Sequence, residues 1–197
     1  MGKRFFDVIV SLCLILCFSP LFLVLCVMVW TTDGFPVFFV QQRIGLNRKS
    51  FRLYKFRTMR ILKGTEKGSF DAGDSSRVTR VGRFLRKSKL DELPQLFNVL
   101  KGDMSMVGPR PEVAKWVDVY PEQWAKVLTV RPGITDNASI VFRNEEELLA
   151  QSSDPQLTYR DEILPYKLDL YLEYVNKSGL WNDLKILSKT FITVLFK

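Results

Sequence analysis

Two carboxylates, Asp91 and Glu92, stand side by side in the stretch Ser88-Lys89-Leu90-Asp91-Glu92-Leu93-Pro94-Gln95-Leu96. Proline is tolerated in the first turn of a helix, where its missing N–H would have no intrahelical partner, so Pro94 predicts a helix that begins near Asp91 or Glu92. Carboxylates at such a start often serve only as caps that complement the helix dipole. Arg86, Lys87 and Lys89 lie immediately before them. A start surrounded by cations also suits an anionic substrate, and an aspartate there could meet a phosphorus atom whose charge is already neutralised. The local sequence leaves both readings open.

Further along comes Gly102-Asp103-Met104-Ser105-Met106-Val107-Gly108-Pro109-Arg110-Pro111. Prolines on both sides of Arg110 fix the local backbone and hold a guanidinium in a rigid turn, a good arrangement for gripping phosphate with two hydrogen bonds. Arg131-Pro132-Gly133 is a second turn of the same kind. Residues 41–90 hold fifteen Lys/Arg against three Asp/Glu, whereas residues 91–197 hold twelve against sixteen. A basic block of that density attracts phosphates, whether in a nucleotide, a lipid head group or nucleic acid.

The chain has no histidine, which excludes a His general base, a Ser-His triad and a His-ligated zinc site. Carboxylates, Lys, Tyr or an oxygen-liganded metal must carry any chemistry. Cys13, Cys17 and Cys26 all lie in the apolar N-terminal run and are odd in number, so they read as small hydrophobes rather than a disulfide framework. With 197 residues, 47% of them hydrophobic, the chain suffices for one compact domain plus a membrane element.

That element is Val8–Trp30, almost uninterruptedly apolar and without charge; as a straight helix it would measure about 34 Å. It is long for a signal peptide, and no alanine before Ala72 supplies a cleavage site. Phe6 stands where a myristoylation signal needs Ser or Thr. Ser19-Pro20 falls at the middle of the run, where proline favours a break. Lys3 and Arg4 precede the run, and Arg43, Arg48 and Lys49 follow it. Basic flanks favour the cytoplasmic side, and only a segment that dips in and returns puts both there. A re-entrant hairpin and a kinked spanning helix are the two readings.

Aromatic and β-branched residues at 35–42 and 51–58, with Gly45-Leu46-Asn47 between them, predict a β-hairpin. Residues 63–76 read as a mobile loop, and 77–89 as an amphipathic helix with Arg80, Arg83, Arg86 and Lys87 opposite Val81, Phe84 and Leu85. Helical periodicity recurs around 164–175 and 181–196, with Gly179 as a C-cap between them. The last helix, with Trp181, Leu184, Leu187, Phe191 and Val194 on one side, suits either the core or a membrane interface.

Taken together, the run broken at Ser19-Pro20, YKFRTM at 54–59, LDELPQLFNVLKGDMSMVGPRP at 90–111 and RPGIT at 131–135 resemble the bacterial sugar transferase family, the monotopic polyprenol-phosphate phosphoglycosyl transferases. They cover most of residues 1–135 in the family's order. The resemblance implies a mostly α fold with a small β-hairpin or sheet. Residues 1–33 would form a re-entrant membrane helix-hairpin, and 34–197 one catalytic domain carrying interfacial amphipathic helices. It implies transfer of a sugar-1-phosphate from a UDP-sugar to undecaprenyl phosphate with release of UMP, the first membrane step of glycoconjugate synthesis. Asp91 would attack phosphorus and hold the sugar phosphate covalently, and Glu92 would assist. Both carboxylates would bind Mg²⁺, and Lys55, Arg86, Arg110 and Arg131 would bind phosphate. The expected partner surface is a lipid bilayer at the cytoplasmic face of the bacterial inner membrane. Nucleic acid is not expected, and a homodimer is left open. Without a fused regulatory domain, the expectation is the minimal catalytic form.

After RPGIT many family members continue with Gly and a segment ending Gly-Arg-Asn. Here the chain reads Asp136-Asn137-Ala138-Ser139-Ile140-Val141-Phe142-Arg143-Asn144. Arg143 matches the family arginine as a further phosphate ligand, while Asn144 with Glu147 predicts a capping box. The departure bears on sugar specificity. Two other readings compete: a membrane-anchored adaptor whose basic region binds anionic lipid or nucleic acid, and a transferase in which Asp91 or Glu92 serves direct displacement as metal ligand or base.

Overall fold

The computed structural model describes residues 2–60 and 77–196, so the loop expected at 63–76 lies outside the described residues. In chain order come α1 (Gly2–Cys17), α2 (Ser19–Asp33), β1 (Phe38–Ile44), β2 (Ser50–Phe56), α3 (Arg80–Lys87), α4 (Gln95–Lys101), β3 (Ser105–Val107), α5 (Ala114–Val117), α6 (Pro121–Val127), β4 (Gly133–Thr135), α7 (Asn137–Val141), α8 (Glu145–Ala150), α9 (Pro155–Thr158), α10 (Leu164–Asn176) and α11 (Leu180–Phe196). The fold is mostly helical with two small sheets, as expected.

α1 and α2 meet at a bend of 63°, and among the described residues no single helix is long and apolar enough to cross a membrane. The break falls at Phe18. Ser19 Oγ there turns back to the Leu16 carbonyl at 2.8 Å. Pro20 occupies the first turn of α2, where a missing N–H costs nothing. α1 is polar on its buried side: it buries Asp7 and Ser11 and exposes Phe5, Ile9, Leu12 and Leu16. Lys3 and Arg4, read in the sequence as a basic flank, are used inside the fold. Lys3 Nζ pairs with Asp183 and donates to the Val107 carbonyl at 3.0 Å. Arg4 donates to the Val99 and Leu100 carbonyls at 2.6 and 2.9 Å.

β1 and β2 form the expected hairpin, antiparallel from Phe38↔Phe56 to Ile44↔Ser50. Its turn takes Asn47 and Arg48 through the left-handed region, at φ 54° and 59°, a conformation that asparagine tolerates best among residues with a side chain. β3 and β4 pair in parallel, Ser105↔Gly133 and Val107↔Thr135. α1 packs Val10, Leu14 and Ile15 on Leu96, Val99 and Met106, and α2 packs Leu25 and Val29 with Phe56 and Leu85. A third cluster, with Trp116, Trp124, Tyr159, Leu164 and Leu168, lies around α10.

Three local expectations differ from the structure. α3 buries Gly82 and Leu85, but Phe84, assigned by spacing to the apolar side, is 56% exposed. Gly179 does not cap α10, which ends at Lys177 with φ −113° and so needs no left-handed residue. Its carbonyl instead accepts the first amide bond of α11, from Asp183. Asn144 precedes α8 as expected, yet no capping box forms. At φ −99° and ψ 29° Asn144 lacks the extended backbone that aims a cap side chain at the helix amides. On α11 the core takes Asp183 and Ile186, with Leu187 packed beside them, and leaves Trp181 and Phe191 exposed.

Candidate active site

The carboxylate pair lies in a 3₁₀ turn, Leu90–Glu92, and the α-helix proper starts at Gln95 with Pro94 as its N-cap. The expected helix start is therefore displaced by a few residues, because Lys89 takes a left-handed conformation, φ 58°, and separates α3 from the turn. A lysine held there is strained by roughly 1 kcal/mol. It turns the chain so that Asp91 is buried, 7% exposed, instead of continuing outward along α3.

Two elements converge on Glu92. β2 delivers Lys55, whose Nζ donates to Glu92 Oε1 at 2.9 Å. The turn after β3 delivers Arg110, whose Nη1 donates to Glu92 Oε2 at 3.2 Å and whose Nη2 donates to Oε1. β2 is tied to α4 by Asn98, whose amide accepts from Tyr54 N at 3.1 Å and donates to the Arg52 carbonyl at 2.7 Å. Asn98 thus acts as a strand partner for Arg52 and Tyr54, just ahead of Lys55.

The Arg110 turn is fixed from both sides. Gly108 N donates to Thr135 O, and Gly133 N to Pro109 O at 3.0 Å. The approach requires glycine: a Cβ on Gly133 would stand 2.1 Å from Gly108 N, and one on Gly108 2.4 Å from Arg131 O. Arg43 Nη1 holds the Pro111 carbonyl at 3.1 Å.

These contacts separate the two carboxylates. Burial alone would raise Glu92, but the charges of Arg110 and Lys55 and their hydrogen bonds outweigh it and hold Glu92 well below the usual carboxylate range. For Asp91 burial dominates and pushes it up, with Glu92 adding to the rise against the opposing charges of Lys55, Lys89 and Arg110. Asp91 Oδ1 is buried and has no hydrogen-bond partner among the described residues. Two adjacent carboxylates with opposite shifts are the mark of divided roles.

The other expected phosphate ligands have different partners. Arg86 Nε donates to Thr58 Oγ1 at 3.0 Å and its Nη1 to Glu146 at 3.2 Å. Arg131 Nε donates to the Gly102 carbonyl at 2.9 Å, and Arg143 to the Thr193 carbonyl. The structure thus brings Lys55 and Arg110 to the dyad through Glu92, while the other three arginines meet groups elsewhere. Sequence reading did not single out Asn98, Gln95 or Asp136. Asp136 caps α7 by accepting from Ser139 N and Oγ, each at 2.8 Å; it is pushed up by burial against those bonds and the charges of Arg110 and Lys167.

Among the described residues no three metal-ligating side chains cluster. Mg²⁺ takes one or two carboxylates and completes its shell with phosphate oxygens and water. The unpartnered Asp91 Oδ1 fits that habit, and Glu92, whose oxygens already accept three hydrogen bonds, fits it through a remaining lone pair.

The structure thus holds a buried carboxylate pair of which one member, Glu92, is engaged by Lys55 and Arg110 and the other, Asp91, keeps an unpartnered oxygen. The chain belongs to the bacterial sugar transferase family, which it matches across residues 1–197. It is 37% identical over 196 residues to the UDP-N-acetylgalactosamine-undecaprenyl-phosphate N-acetylgalactosaminephosphotransferase of Aeromonas hydrophila, covering 98% of this chain and 43% of that protein. It is 40% identical over 193 residues to the uncharacterized sugar transferase EpsL of Bacillus subtilis (strain 168), covering 98% and 87%. It is also 37% identical over 210 residues to the undecaprenyl-phosphate galactose phosphotransferase of Salmonella typhimurium, covering 98% and 40%. The chain spans about two fifths of the length of the first and third of these relatives.

Proposed function

We propose that this chain transfers a sugar-1-phosphate from a UDP-sugar to undecaprenyl phosphate, releases UMP, and passes through a phosphosugar held covalently on Asp91. The observation that carries this reading is the division within the dyad. Glu92 is engaged by Lys55 and Arg110, whereas Asp91 presents an unpartnered oxygen. The relatives' substrates, as their names give them, fit it.

In the first step an Asp91 carboxylate oxygen attacks the sugar-bearing phosphorus. The bond from that phosphorus to the bridging oxygen breaks, and its electron pair leaves on UMP. An oxygen of the polyprenyl phosphate then attacks the same phosphorus and returns Asp91 as a carboxylate. Desolvation makes Asp91 more basic and therefore a better nucleophile. Glu92, one negative charge against two positive ones, holds Lys55 and Arg110 in place, and the positive charge left over offsets the Asp91 carboxylate as the diphosphate approaches. Asp91 and Glu92 would hold Mg²⁺, which when bound shields charge between the reacting phosphates.

The same reading places α1 and α2 in one leaflet as a re-entrant hairpin. The 63° bend at Ser19-Pro20 and an α1 whose polar residues face inward support it, because apolar surface turned outward over successive turns suits lipid rather than water. An enzyme so anchored holds its dyad at the cytoplasmic interface, where a polyprenyl phosphate and a soluble nucleotide-sugar meet.

The test is UMP release from a panel of UDP-sugars by the purified protein in detergent, with and without undecaprenyl phosphate and Mg²⁺. Acceptor-dependent turnover with one sugar, and a ³²P-sugar phosphate trapped on wild type but not on Asp91→Asn, is the expected result. No release from any UDP-sugar by folded protein overturns the reading. Turnover without a trapped intermediate favours direct displacement.

A further inference from the structure

Side chains alternate along a strand, and residues paired directly across two strands share a face. The pairs Phe39↔Lys55, Gln41↔Leu53 and Arg43↔Phe51 of the hairpin therefore stand on one face. Its contacts show what that face meets. Lys55 reaches Glu92 at 2.9 Å, Leu53 and Phe51 pack with Leu96 and Val99 of α4, and Arg43 reaches the Pro111 carbonyl beside Arg110 at 3.1 Å. The opposite face carries Phe38 and Phe56, whose rings stack 5.3 Å apart, and Phe56 meets Phe22 of α2 at 5.2 Å. One face of the hairpin thus serves the carboxylate pair, and the other serves the N-terminal helices.

On the first face Phe39 is out of keeping. Gln41, the next residue along it, is 7% exposed and accepts from Arg43 Nε and Nη2 at 3.0 and 2.8 Å. Phe39, directly across from Lys55, is 38% exposed. Its ring offers open apolar surface beside a lysine that spends one of its three N–H groups on Glu92. Exposed aromatic residues lead from there back to the N-terminal helices. Phe38 precedes Phe39, and Phe35 meets Trp30 of α2 with ring centroids 5.8 Å apart, both of them half exposed or more. The order of groups is a cation, a ring beside it, and apolar surface that runs to α2. A polyprenyl phosphate has the same order: a phosphate, the first isoprene units, and a tail that stays in lipid. A nucleobase could also stack on a ring, but a nucleotide-sugar arrives from water and has no use for the surface beyond.

We propose, resting on the transferase reading above, that Phe39 is a binding residue for the acceptor. Its ring takes the first isoprene units of the polyprenyl phosphate while the phosphate meets Lys55, and the rest of the chain passes Phe35 and Trp30 into the leaflet that holds α2. The contact sets how far the acceptor phosphate rises toward the carboxylate pair, and so brings its oxygen to the phosphosugar on Asp91.

The test compares wild type, Phe39→Thr and Phe39→Leu in mixed micelles of detergent and undecaprenyl phosphate. Threonine suits a strand and deletes the ring, and leucine keeps an apolar side chain. The readouts are KM for undecaprenyl phosphate, KM for the UDP-sugar, and flotation of each protein with vesicles of bacterial phospholipid. The expected result for Phe39→Thr is an acceptor KM higher by about 10-fold, the loss of a methylene or two of apolar contact, with donor KM and flotation unchanged; Phe39→Leu should lose less. KM does not depend on how much of the enzyme is folded, so a loss of stability cannot imitate this result. An unchanged acceptor KM in Phe39→Thr overturns the proposal. A rise in donor KM, alone or as well, overturns it by assigning the ring to the nucleotide, and weaker flotation alongside the acceptor loss overturns it by assigning the ring to the bilayer. If wild type releases no UMP from any UDP-sugar, the transferase reading has failed and takes this proposal with it. Wild-type turnover with an acceptor KM that Phe39→Thr shares fails this proposal alone.

Discussion

Asp7 and Asp183, where the N-terminal helices join the body of the protein, and Asp91, beside the hairpin, are all withdrawn from water, 2%, 0% and 7% exposed. Asp7 accepts from Ser105 Oγ and Met106 N, each at 3.0 Å. Asp183 accepts from Tyr174 at 2.8 Å and pairs with Lys3. Asp91 carries an oxygen that nothing among the described residues answers. A carboxylate whose lone pairs are filled by the fold holds elements together, and one left unfilled is held for something that arrives. The comparison separates carboxylates that join elements from the one on which the proposed chemistry rests.

The sharpest way to break that comparison is to neutralise each carboxylate in turn. Asp91→Asn is expected to lower UMP release by at least about 10³-fold, roughly 4 kcal/mol on the barrier. Its thermal stability should equal or exceed wild type, because a desolvated charge is removed and no bond to Oδ1 is lost. Asp183→Asn is expected to do the reverse. It leaves Lys3 without its counter-charge at a junction of α1 and α11 and should cost about 3 kcal/mol, the low end for a broken buried pair because Lys3 is a third exposed. Activity per folded molecule should survive. Chemical denaturation beside UMP release checks both, and an Asp183→Asn protein that folds fully but does not turn over would undo the assignment. Asp7→Asn should fall between, losing about 1–3 kcal/mol as two charge-assisted bonds weaken.

What the sequence made legible follows the same division. The hairpin, the break at Ser19-Pro20 and the glycine-proline turn around Arg110 are written in local chemistry, in backbone preferences of a few adjacent residues. The pairing of Asp91 with Glu92 was visible for the same reason. Their unequal environments were not, because these come from Lys55 and Arg110, which lie 37 and 18 residues from Glu92. The strand-like role of Asn98 spans 44 residues, and the anchoring of Asp7 spans 98. Asp7 stands just ahead of the apolar run, and the folded chain turns it inward. Arg131 reads as a free guanidinium, but its partner is a backbone carbonyl at Gly102, which no side-chain pattern advertises. Where sequence rules were applied to caps, at Gly179 and Asn144, the residue type was suitable but the local backbone angles took another course.

The smallest effect expected is on the pH dependence of stability, and it discriminates between the two dyad members. Asp91 is raised in the folded protein. Its contribution is present below the ordinary aspartate range and is lost as pH rises through its folded value. Glu92 is lowered, so its contribution is present above the ordinary glutamate range and is lost as pH falls through its folded value. In wild type the two slopes are opposite in sign and lie side by side, the Asp91 slope from the ordinary aspartate range up to its raised value and the Glu92 slope from the ordinary glutamate range downward. Asp91→Asn removes the first and leaves the second, so the variant should lack the gain in stability that wild type shows as pH falls toward the ordinary carboxylate range, while both lose stability below the ordinary glutamate value. Denaturation midpoints collected from neutral pH down to about pH 3.5, below the ordinary glutamate value, would reveal it. Parallel curves for the two proteins would mean that Asp91 and Glu92 share one environment, and the division of labour argued from Lys55 and Arg110 would fall.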